Sequence, residues 1–445
     1  MRRALPLCLL VGLAIPRELT AQDSTPPVPS GVRVGITYTP GTRPSIAVLV
    51  SGGAGVDSVR TILGRDLDYS DRFEVVAPPL AAAALGVDGL PNYRALTALG
   101  TDFAVSVVAS APTSPDQRAR SGIDILLHDV RGGAVKNRLT LQLSDAGPET
   151  LRRAVHRAAD EVVRWATGTT GIASGRIYYV ADGKIWRVDP DGAQRTLVET
   201  AGRPALSPAT SPDGRTIVYT AFVRSGQPIV LQELASGRRE VVPGTEYGMN
   251  ITPEFSPDGH KLAFAHGTED GTDIYLYDVA RRCCVTRLTV GRYYDNLSPA
   301  WSPDGQRIAF ISTRAGAPQL YVMSADGTGQ EALARFDYGS TGMTYAPEWS
   351  PDGQTVVFHR EVAGTPQLFT LDLATRAVKQ ITGEGRNEDA TWAPDGRHVC
   401  FVSSRGGKRL LWIVDLETGR MRELTSTVGA RLPAWSPRHT ALEAG

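Results

Sequence analysis

The stretch AWSPDGQRIAF, residues 300–310, decides the fold because its centre recurs along the second half of the chain. In Ser-Pro-Asp-Gly, proline presets the backbone at the second position and glycine accepts the positive φ that closes a tight turn. The tetrapeptide or a variant begins at Ser211, Ser256, Ser302, Ser350, Ala393 and Ser436, with spacings of 45, 46, 48, 43 and 43 residues. A period in the forties, with about four β-rich segments per unit, is typical of a β-propeller blade.

The two ends of the repeat region predict how the ring closes. Six second turns, between the third and fourth segments of each unit, begin at residues 189, 234, 279, 324, 373 and 416. The first unit starts at Arg176 without a leading strand, whereas residues 431–436, RLPAWS, form such a strand with little after it. We therefore expect a six-bladed propeller over residues 175–439, closed by the C-terminal strand.

The region before the repeat has a different pattern. Residues 33–170 mix short β-rich runs with two segments, 56–70 and 148–168, whose apolar residues recur at helical spacing. The sequence therefore predicts an α/β N-terminal domain followed by an all-β six-bladed β-propeller closed by a C-terminal strand.

The first residues have the composition of a targeting segment. Arg2 and Arg3 precede a short apolar run, and small residues follow near Ala21, which predicts a signal peptide over residues 1–21. Residues 22–32 are rich in proline and serine and are expected to form a flexible N-terminal tail. No other stretch approaches 18 consecutive apolar residues, so we expect an exported protein without a membrane span.

The charge balance argues against a nucleic-acid partner, and the cysteine positions limit which disulfide bonds can form. Lys+Arg and Asp+Glu both number 47, so no basic field is available to attract nucleic acid. Adjacent residues of a strand point to opposite faces, so Cys283 and Cys284 are expected not to pair with each other. Either one of them bonds Cys400, or all three remain thiols. The scattered histidines predict no metal site.

The loops that precede the first strand of each blade surround one mouth of the central channel. They are rich in side chains typical of interfaces, although such aromatics could instead pack between blades. These residues are Tyr247, Met249, Arg292, Tyr293, Tyr294, Tyr338, Met343 and Arg386. The aspartates of the Ser-Pro-Asp-Gly turns lie at the other end and are expected only to stabilise those turns. Because G-x-S-x-G and H-E-x-x-H motifs are absent, we expect neither an enzyme nor a cofactor.

Taken together, the signal peptide, the α/β region beginning VRVGITY, the WSPDG units and the final PAWSP resemble the TolB family of the Tol–Pal system. The resemblance implies a non-enzymatic, monomeric periplasmic scaffold. It would bind the peptidoglycan-associated lipoprotein Pal through the propeller and the inner-membrane protein TolA through the N-terminal segment. Such a scaffold supports outer-membrane integrity, protein import and envelope constriction at cell division.

The resemblance also implies particular contact residues. Family loops that meet Pal match residues 248–255 and 293–301, which carries over Met249, Asn250, Tyr293, Tyr294 and Asn296 as expected contacts. An exported propeller that binds a small molecule or carbohydrate is the alternative. A peptidase relative is the weaker one, because the chain has no room for a hydrolase domain after the propeller.

Overall fold

The structure, a computed structural model, describes residues 43–51, 56–86, 89–109, 122–142, 147–333 and 342–436. The expected signal peptide, the Pro-rich tail and Tyr338 lie outside these residues. Within the described residues, no helix has both the length and the apolar character needed to cross a bilayer.

The N-terminal region is a mixed sheet with helices on its faces. Its strands, in the spatial order β2-β1-β3-β4-β5, are β1 (Ser45–Val50), β2 (Glu74–Val76), β3 (Phe103–Ala109), β4 (Gly122–Asp129) and β5 (Ala134–Gln142). β1 runs parallel to β2 and β3, whereas β3, β4 and β5 pair antiparallel. The helices are α1 (Val56–Tyr69), α2 (Leu80–Ala83), α3 (Tyr93–Ala98) and α4 (Pro148–Thr167).

The two long helices form where the apolar spacing predicts them. Pro148 occupies the first turn of α4, and Gly168 ends it with φ of 74°, a left-handed conformation that glycine adopts without strain. The apolar stripes of α1 and α4 bury Leu63 and Val163 against Val105 of the sheet. This packing gives the N-terminal region its own core.

The described residues from 177 onward form six four-stranded antiparallel blades, as predicted. Strands are lettered A to D from the channel outward. Blades 1 to 3 comprise Arg431–Trp435, Ile177–Ala181, Lys184–Val188 and Thr196–Val198; Ala205–Thr210, Thr216–Ala221, Ile229–Glu233 and Arg239–Val241; and Gly248–Phe255, Lys261–Thr268, Gly271–Asp278 and Cys283–Arg287. Blades 4 to 6 comprise Asn296–Trp301, Arg307–Ser312, Gln319–Ser324 and Glu331–Ala332; Thr344–Trp349, Thr355–Val362, Thr365–Asp372 and Val378–Gln380; and Asn387–Trp392, His398–Ser403, Leu410–Asp415 and Met421–Glu423. A two-residue strand, Gly226–Gln227, adds to the edge of blade 3, and Arg405–Gly407 form a 3-10 turn.

In four of the six blades the residue before this turn is a tryptophan, and it packs between neighbouring blades. Trp349 of blade 5 lies in one buried cluster with Ile311 and Val322 of blade 4, and Trp435 lies with Cys400 and Ile413 of blade 6. The motif therefore recurs because it provides both the A–B turn and the contact that joins successive blades.

The C-terminal strand closes the ring. Ala434 pairs with Tyr178 and Trp435 with Ile177, so strand A of blade 1 comes from the opposite end of the chain. The Arg176 backbone N–H donates to Ser436 Oγ at 3.0 Å, which fixes the end of the strand. Closure leaves no unpaired edge at this seam.

Four of the turn aspartates have the structural role expected of them. Asp213, Asp258, Asp304 and Asp352 each accept from the serine hydroxyl of their own turn and from a backbone N–H two residues on. The fifth, Asp395, lies in a turn that begins with alanine. It too accepts from the backbone N–H two residues on, but in place of a serine hydroxyl it accepts from the backbone and imidazole of His398. This one turn is therefore part of a different network.

The prediction that adjacent cysteines do not pair is wrong for this structure. Cys283 and Cys284 are joined by a disulfide, and Cys400 is a buried free thiol. Cys284 has φ of 67°, and the strand pairing shifts register beside Cys283. The alternation of side chains on which the prediction rested is therefore interrupted at this point.

Two buried ion clusters join the N-terminal region to the propeller face that carries the A–B and C–D turns. In the α4 cluster, His156 Nδ1 lies 2.6 Å from Asp66 Oδ2, and its Nε2 lies 3.5 Å from Asp189 Oδ2 of blade 1. The cluster comprises Arg65, Asp66, Arg152, His156, Asp189 and Asp191, three cations and three carboxylates.

The α1 cluster meets blade 6 in the same way. His398 Nδ1 lies 2.7 Å from Asp395 Oδ2, and its Nε2 lies 3.2 Å from Asp71 Oδ2, just beyond the end of α1. Arg420 pairs with Asp71 at 2.9 Å and with Asp68 at 2.8 Å. Because these contacts use blades 1 and 6 at one end of the channel, the loops at the other end stay uncovered by the N-terminal sheet.

Candidate functional site: the channel and its loop-covered mouth

The loops that join strand D of one blade to strand A of the next, the D–A loops, carry exposed large side chains. Tyr247 is 74% exposed on the loop before blade 3, and Tyr293 is 89% exposed on the loop before blade 4. Met249 and Met343 are partly exposed, and Arg386 is exposed on the loop before blade 6. Exposed aromatics on consecutive loops form a surface suited to a protein partner.

Tyr294 is only half-buried and is held by its own loop. Its hydroxyl donates to the Val290 carbonyl at 3.1 Å, and the Arg314 guanidinium lies 5.4 Å from the ring centre. The ring therefore supports the loop as well as offering one edge to the surface.

The structure places two expected contact residues differently. Asn250 and Asn296 are fully buried near the start of their A strands, at the third and the first position respectively. Asn250 Nδ2 donates to the carbonyls of Thr245 and Tyr247, and Asn296 Nδ2 donates to Asp273 Oδ1 at 2.9 Å. Their amides are used inside the protein, because a buried amide must be hydrogen-bonded. They shape the loops and do not present a side chain at the mouth.

The channel wall is a ring of six β-bulges. One non-glycine residue in each A strand has φ between 47° and 53°, and the strand pairing shifts register there. These residues are Ser207, Thr252, Ser298, Ala346, Asp389 and Leu432. A bulge bends its strand, and here the same bend in every blade lines a cavity of about 460 Å³.

Three carboxyl groups face this cavity, and its lining includes no lysine, arginine or histidine. Burial raises the pKa of Glu348 to about 7. Burial, with the nearby Glu348, raises the pKa of Glu254 well above its usual range, and burial also raises that of Asp389. A cation that enters the channel would therefore stabilise the ionised carboxylates, and the carboxyl groups would release their protons to solvent.

The two interface clusters contain donors at metal-binding distance, but their chemistry fits ion pairs. Asp66, His156 and Asp191 approach one another closely, as do Asp71, His398 and Asp415. The carboxylate partners raise the pKa of His156 and of His398 to about 9 despite burial. A protonated imidazole in each cluster balances the surrounding carboxylates, so both clusters are accounted for as ion pairs.

Glu254 and Glu348 are channel residues that the sequence reasoning missed. They occupy the same repeat position, in TPEFSPDG and APEWSPDG, where other units have alanine or threonine. Alternation along strand A places this position on the face opposite to the next residue, Phe255 or Trp349, which packs between blades. Aligning the six units by their Ser-Pro-Asp-Gly turns could therefore have identified both.

Comparisons with known proteins agree with this architecture. A family model described as the TolB beta propeller domain matches residues 164–338 and 334–443. The crystal structure of TolB from Acinetobacter baumannii is similar with a TM-score of 0.75 and 27% identity, over 89% of this chain and 97% of that one.

Curated relatives match over a shorter part. Tol-Pal system protein TolB from Alcanivorax borkumensis is 29% identical over 231 residues, 49% of this chain and 51% of the relative. The protein of the same name from Actinobacillus succinogenes is 29% identical over 210 residues, 45% of this chain and 48% of the relative. The chain thus spans about half the length of the curated relatives it matches. From the family match and the six closed blades, we conclude that this chain belongs to the TolB β-propeller family.

Proposed function

We propose that the chain is a non-enzymatic periplasmic scaffold of the Tol–Pal system that binds the globular domain of a Pal-like lipoprotein at the mouth of its propeller. In this role it supports outer-membrane integrity and envelope constriction at cell division. The observation that carries the proposal is the exposure of Tyr247 and Tyr293 on consecutive D–A loops beside an acidic channel. Aromatic side chains at the centre of an interface supply much of its binding free energy.

The test is calorimetric titration of residues 22–445 with the Pal-like domain of the same organism. Tyr293→Ala is expected to weaken binding about tenfold or more, as loss of a central aromatic anchor does. Leu80→Ala is the matched control, because Leu80 is 92% exposed on α2, remote from the D–A loops. If both variants bind as tightly as the wild type, the D–A loops are not the binding site of the Pal-like domain.

The N-terminal segment is proposed to contact a TolA-like inner-membrane protein. The support is the family membership and the Pro-rich composition of residues 22–32, which favours an extended segment that can pair with a partner. Deleting residues 22–32 should abolish capture of the TolA domain while leaving Pal binding unchanged. Unchanged capture would exclude this role for the segment.

A second function is favoured by the channel itself. A cavity of about 460 Å³ with three carboxyl groups is large enough for a small ligand, including a carbohydrate or a cation. If this were the main function, Glu254→Gln and Glu348→Gln would alter ligand binding, and Tyr293→Ala would not. If Tyr293→Ala weakens binding of the Pal-like domain and the two glutamine variants do not, the scaffold function is favoured.

A further inference from the structure

The loop that carries Tyr293 is built around a buried carboxylate. Asp273, in strand C of blade 3, has a fully buried side chain below residues 287–296. Its Oδ1 accepts from Thr289 Oγ1 at 2.7 Å, from the Gly291 N–H at 2.9 Å and from Asn296 Nδ2 at 2.9 Å. Its Oδ2 pairs with the Arg287 guanidinium. One carboxylate thus binds the start, middle and end of the loop.

The B–C hairpin of blade 3 holds the same loop from the other side. The Tyr293 N–H donates to the Asp270 carbonyl at 2.8 Å, and the Thr272 N–H donates to Asp295 Oδ1 at 3.0 Å. Gly271 approaches the Tyr294 carbonyl so closely that a Cβ there would lie 2.6 Å from its oxygen. These contacts leave the backbone on both sides of Tyr293 little freedom.

Tyr293 itself combines exposure with an unfavourable backbone. It is 89% exposed and has φ of 64°, a conformation uncommon for a bulky residue. Such a conformation is strained and persists only where surrounding contacts impose it. The Asp273 network provides these contacts, although an exposed tyrosine gains nothing from them in the free protein.

Blade 5 has an uncharged residue at the position that corresponds to Asp273. Gln367 of blade 5 corresponds to Asp273 by its register in the sheet. Each is the third residue of its strand C, opposite His266 of strand B for Asp273 and opposite Arg360 of strand B for Gln367. Gln367 accepts from Thr382 and Asn387 and donates to the Gly385 carbonyl, so it too binds its loop. Among the described D–A loops, however, the one around Asp273 combines an ion pair with a strongly exposed aromatic at positive φ.

We infer that Asp273 is a positioning residue that holds Tyr293 in its binding conformation before the partner arrives. This inference rests on the proposed function and adds that the loop before blade 4 is the preformed part of the docking surface. Ordering a loop on binding weakens affinity, so a loop already ordered binds more tightly with the same contacts. The partner should therefore offer a recess for one tyrosine ring, rather than a surface that adapts to it.

The test compares Asp273→Ala, the same-shaped Asp273→Asn and the matched Gln367→Ala. Hydrogen exchange followed by mass spectrometry, on the free protein, should show the amides of residues 290–295 exchanging about tenfold faster in Asp273→Ala. Gln367→Ala should instead loosen residues 383–387. Thermal unfolding of each variant controls for a general loss of stability.

The binding arm uses calorimetry with the Pal-like domain and a double-variant cycle. Asp273→Ala is expected to weaken binding about tenfold, Asp273→Asn less, and Gln367→Ala less than threefold. If Asp273 acts through Tyr293, Asp273→Ala combined with Tyr293→Ala should bind no more weakly than Tyr293→Ala alone. A merely structural residue would give additive losses.

The outcomes separate this inference from the proposed function. If the unaltered protein binds, Tyr293→Ala weakens binding and Asp273→Ala does not, the positioning role is refuted and the docking surface stands. If the unaltered protein does not bind at all, the proposed function fails and the role of Tyr293 as an anchor fails with it. If Asp273→Ala does not fold, Asp273→Asn decides by the same two measurements.

Discussion

Replacing His398 by glutamine is the most direct test of how the N-terminal region is fixed to the propeller. The imidazole faces carboxylates from three elements: Asp395 in its own turn, Asp71 beyond α1 and Asp415 in strand C of blade 6. Asp71 and Asp395 have side chains only 3% and 2% exposed. Glutamine can still donate a hydrogen bond but carries no charge at any pH.

The magnitude follows from the proton affinity of the folded state. The carboxylates raise the pKa of His398 to about 9, against an ordinary value of 6.5. Because a tenfold change in proton affinity corresponds to about 1.4 kcal/mol, the protonated imidazole contributes about 3 kcal/mol to the free energy of unfolding. Breaking one partner out of a buried ion pair typically costs about the same.

The direction of the pH dependence is fixed by the raised pKa. The folded state binds the proton more tightly than the unfolded state, so the stabilisation is complete below pH 6.5 and is lost as pH rises through about 9. Asp395, whose pKa its hydrogen bonds and His398 lower to about 2, keeps its own contribution until strongly acidic pH. The free energy of unfolding of the wild type should therefore exceed that of His398→Gln by about 3 kcal/mol at pH 6 and by much less at pH 9.5.

The assay is urea unfolding across pH 5.5 to 9.5, followed by tryptophan fluorescence. His260→Gln is the matched control, since His260 follows the corresponding turn of blade 3 with a side chain 69% exposed, 3.4 Å from Asp258. An exposed pair of this kind contributes about 1 kcal/mol or less. If the free energies of unfolding of wild type and His398→Gln differ by the same amount at every pH in this range, the raised pKa of His398 is refuted.

Three other predictions test the fold and the channel. Deleting residues 431–445 removes strand A of blade 1, so cooperative unfolding should be lost; a sharp transition at the wild-type urea concentration would contradict the closure. Glu348→Gln should raise the free energy of unfolding above pH 7 by about 3 kcal/mol, because a carboxyl whose folded pKa is raised to about 7 stabilises below 4.5 and loses that contribution as pH rises through 7. Urea unfolding at pH 5 and pH 8 would detect this, and equal effects at both would exclude it. Peptide mass spectrometry should find Cys283 linked to Cys284, with Cys400 alkylated only after unfolding; rapid alkylation of Cys400 in the native protein would contradict its burial.

The propeller could be predicted from the sequence because its information is local and repeated. Each turn needs proline and glycine at fixed positions, and each unit repeats the need, so six weak signals reinforce one another. The closing strand could be predicted because Trp435 ends an A strand that has no partner after it. Tyr247 and Tyr293, which the sequence places in loops at the channel mouth, are exposed there, and their binding to a partner stays a prediction.

The ion clusters and the disulfide could not be predicted in the same way. Asp71 and His398 are 327 residues apart, and neither sequence neighbourhood indicates the other. The prediction for Cys283 and Cys284 assumed a regular strand, whereas Cys284 has positive φ and the strand pairing shifts register beside Cys283. Likewise Asn296 has the residue type of a contact, but the buried Asp273 determines that it points inward.

The α1 cluster also limits how binding at the mouth can affect the N-terminal region. Strand A of blade 6, Asn387–Trp392, begins at the mouth, and the turn after it holds Asp395 and His398. Coupling along this strand requires an element with two arrangements of similar free energy. A cluster whose imidazolium is bonded at both ring nitrogens opposes a second arrangement, because moving it would leave buried charges unpaired. We therefore expect His398→Gln to change the affinity for the Pal-like domain less than about twofold; a change of tenfold or more, measured by the same calorimetry, would show that the mouth and the N-terminal region are coupled through this strand.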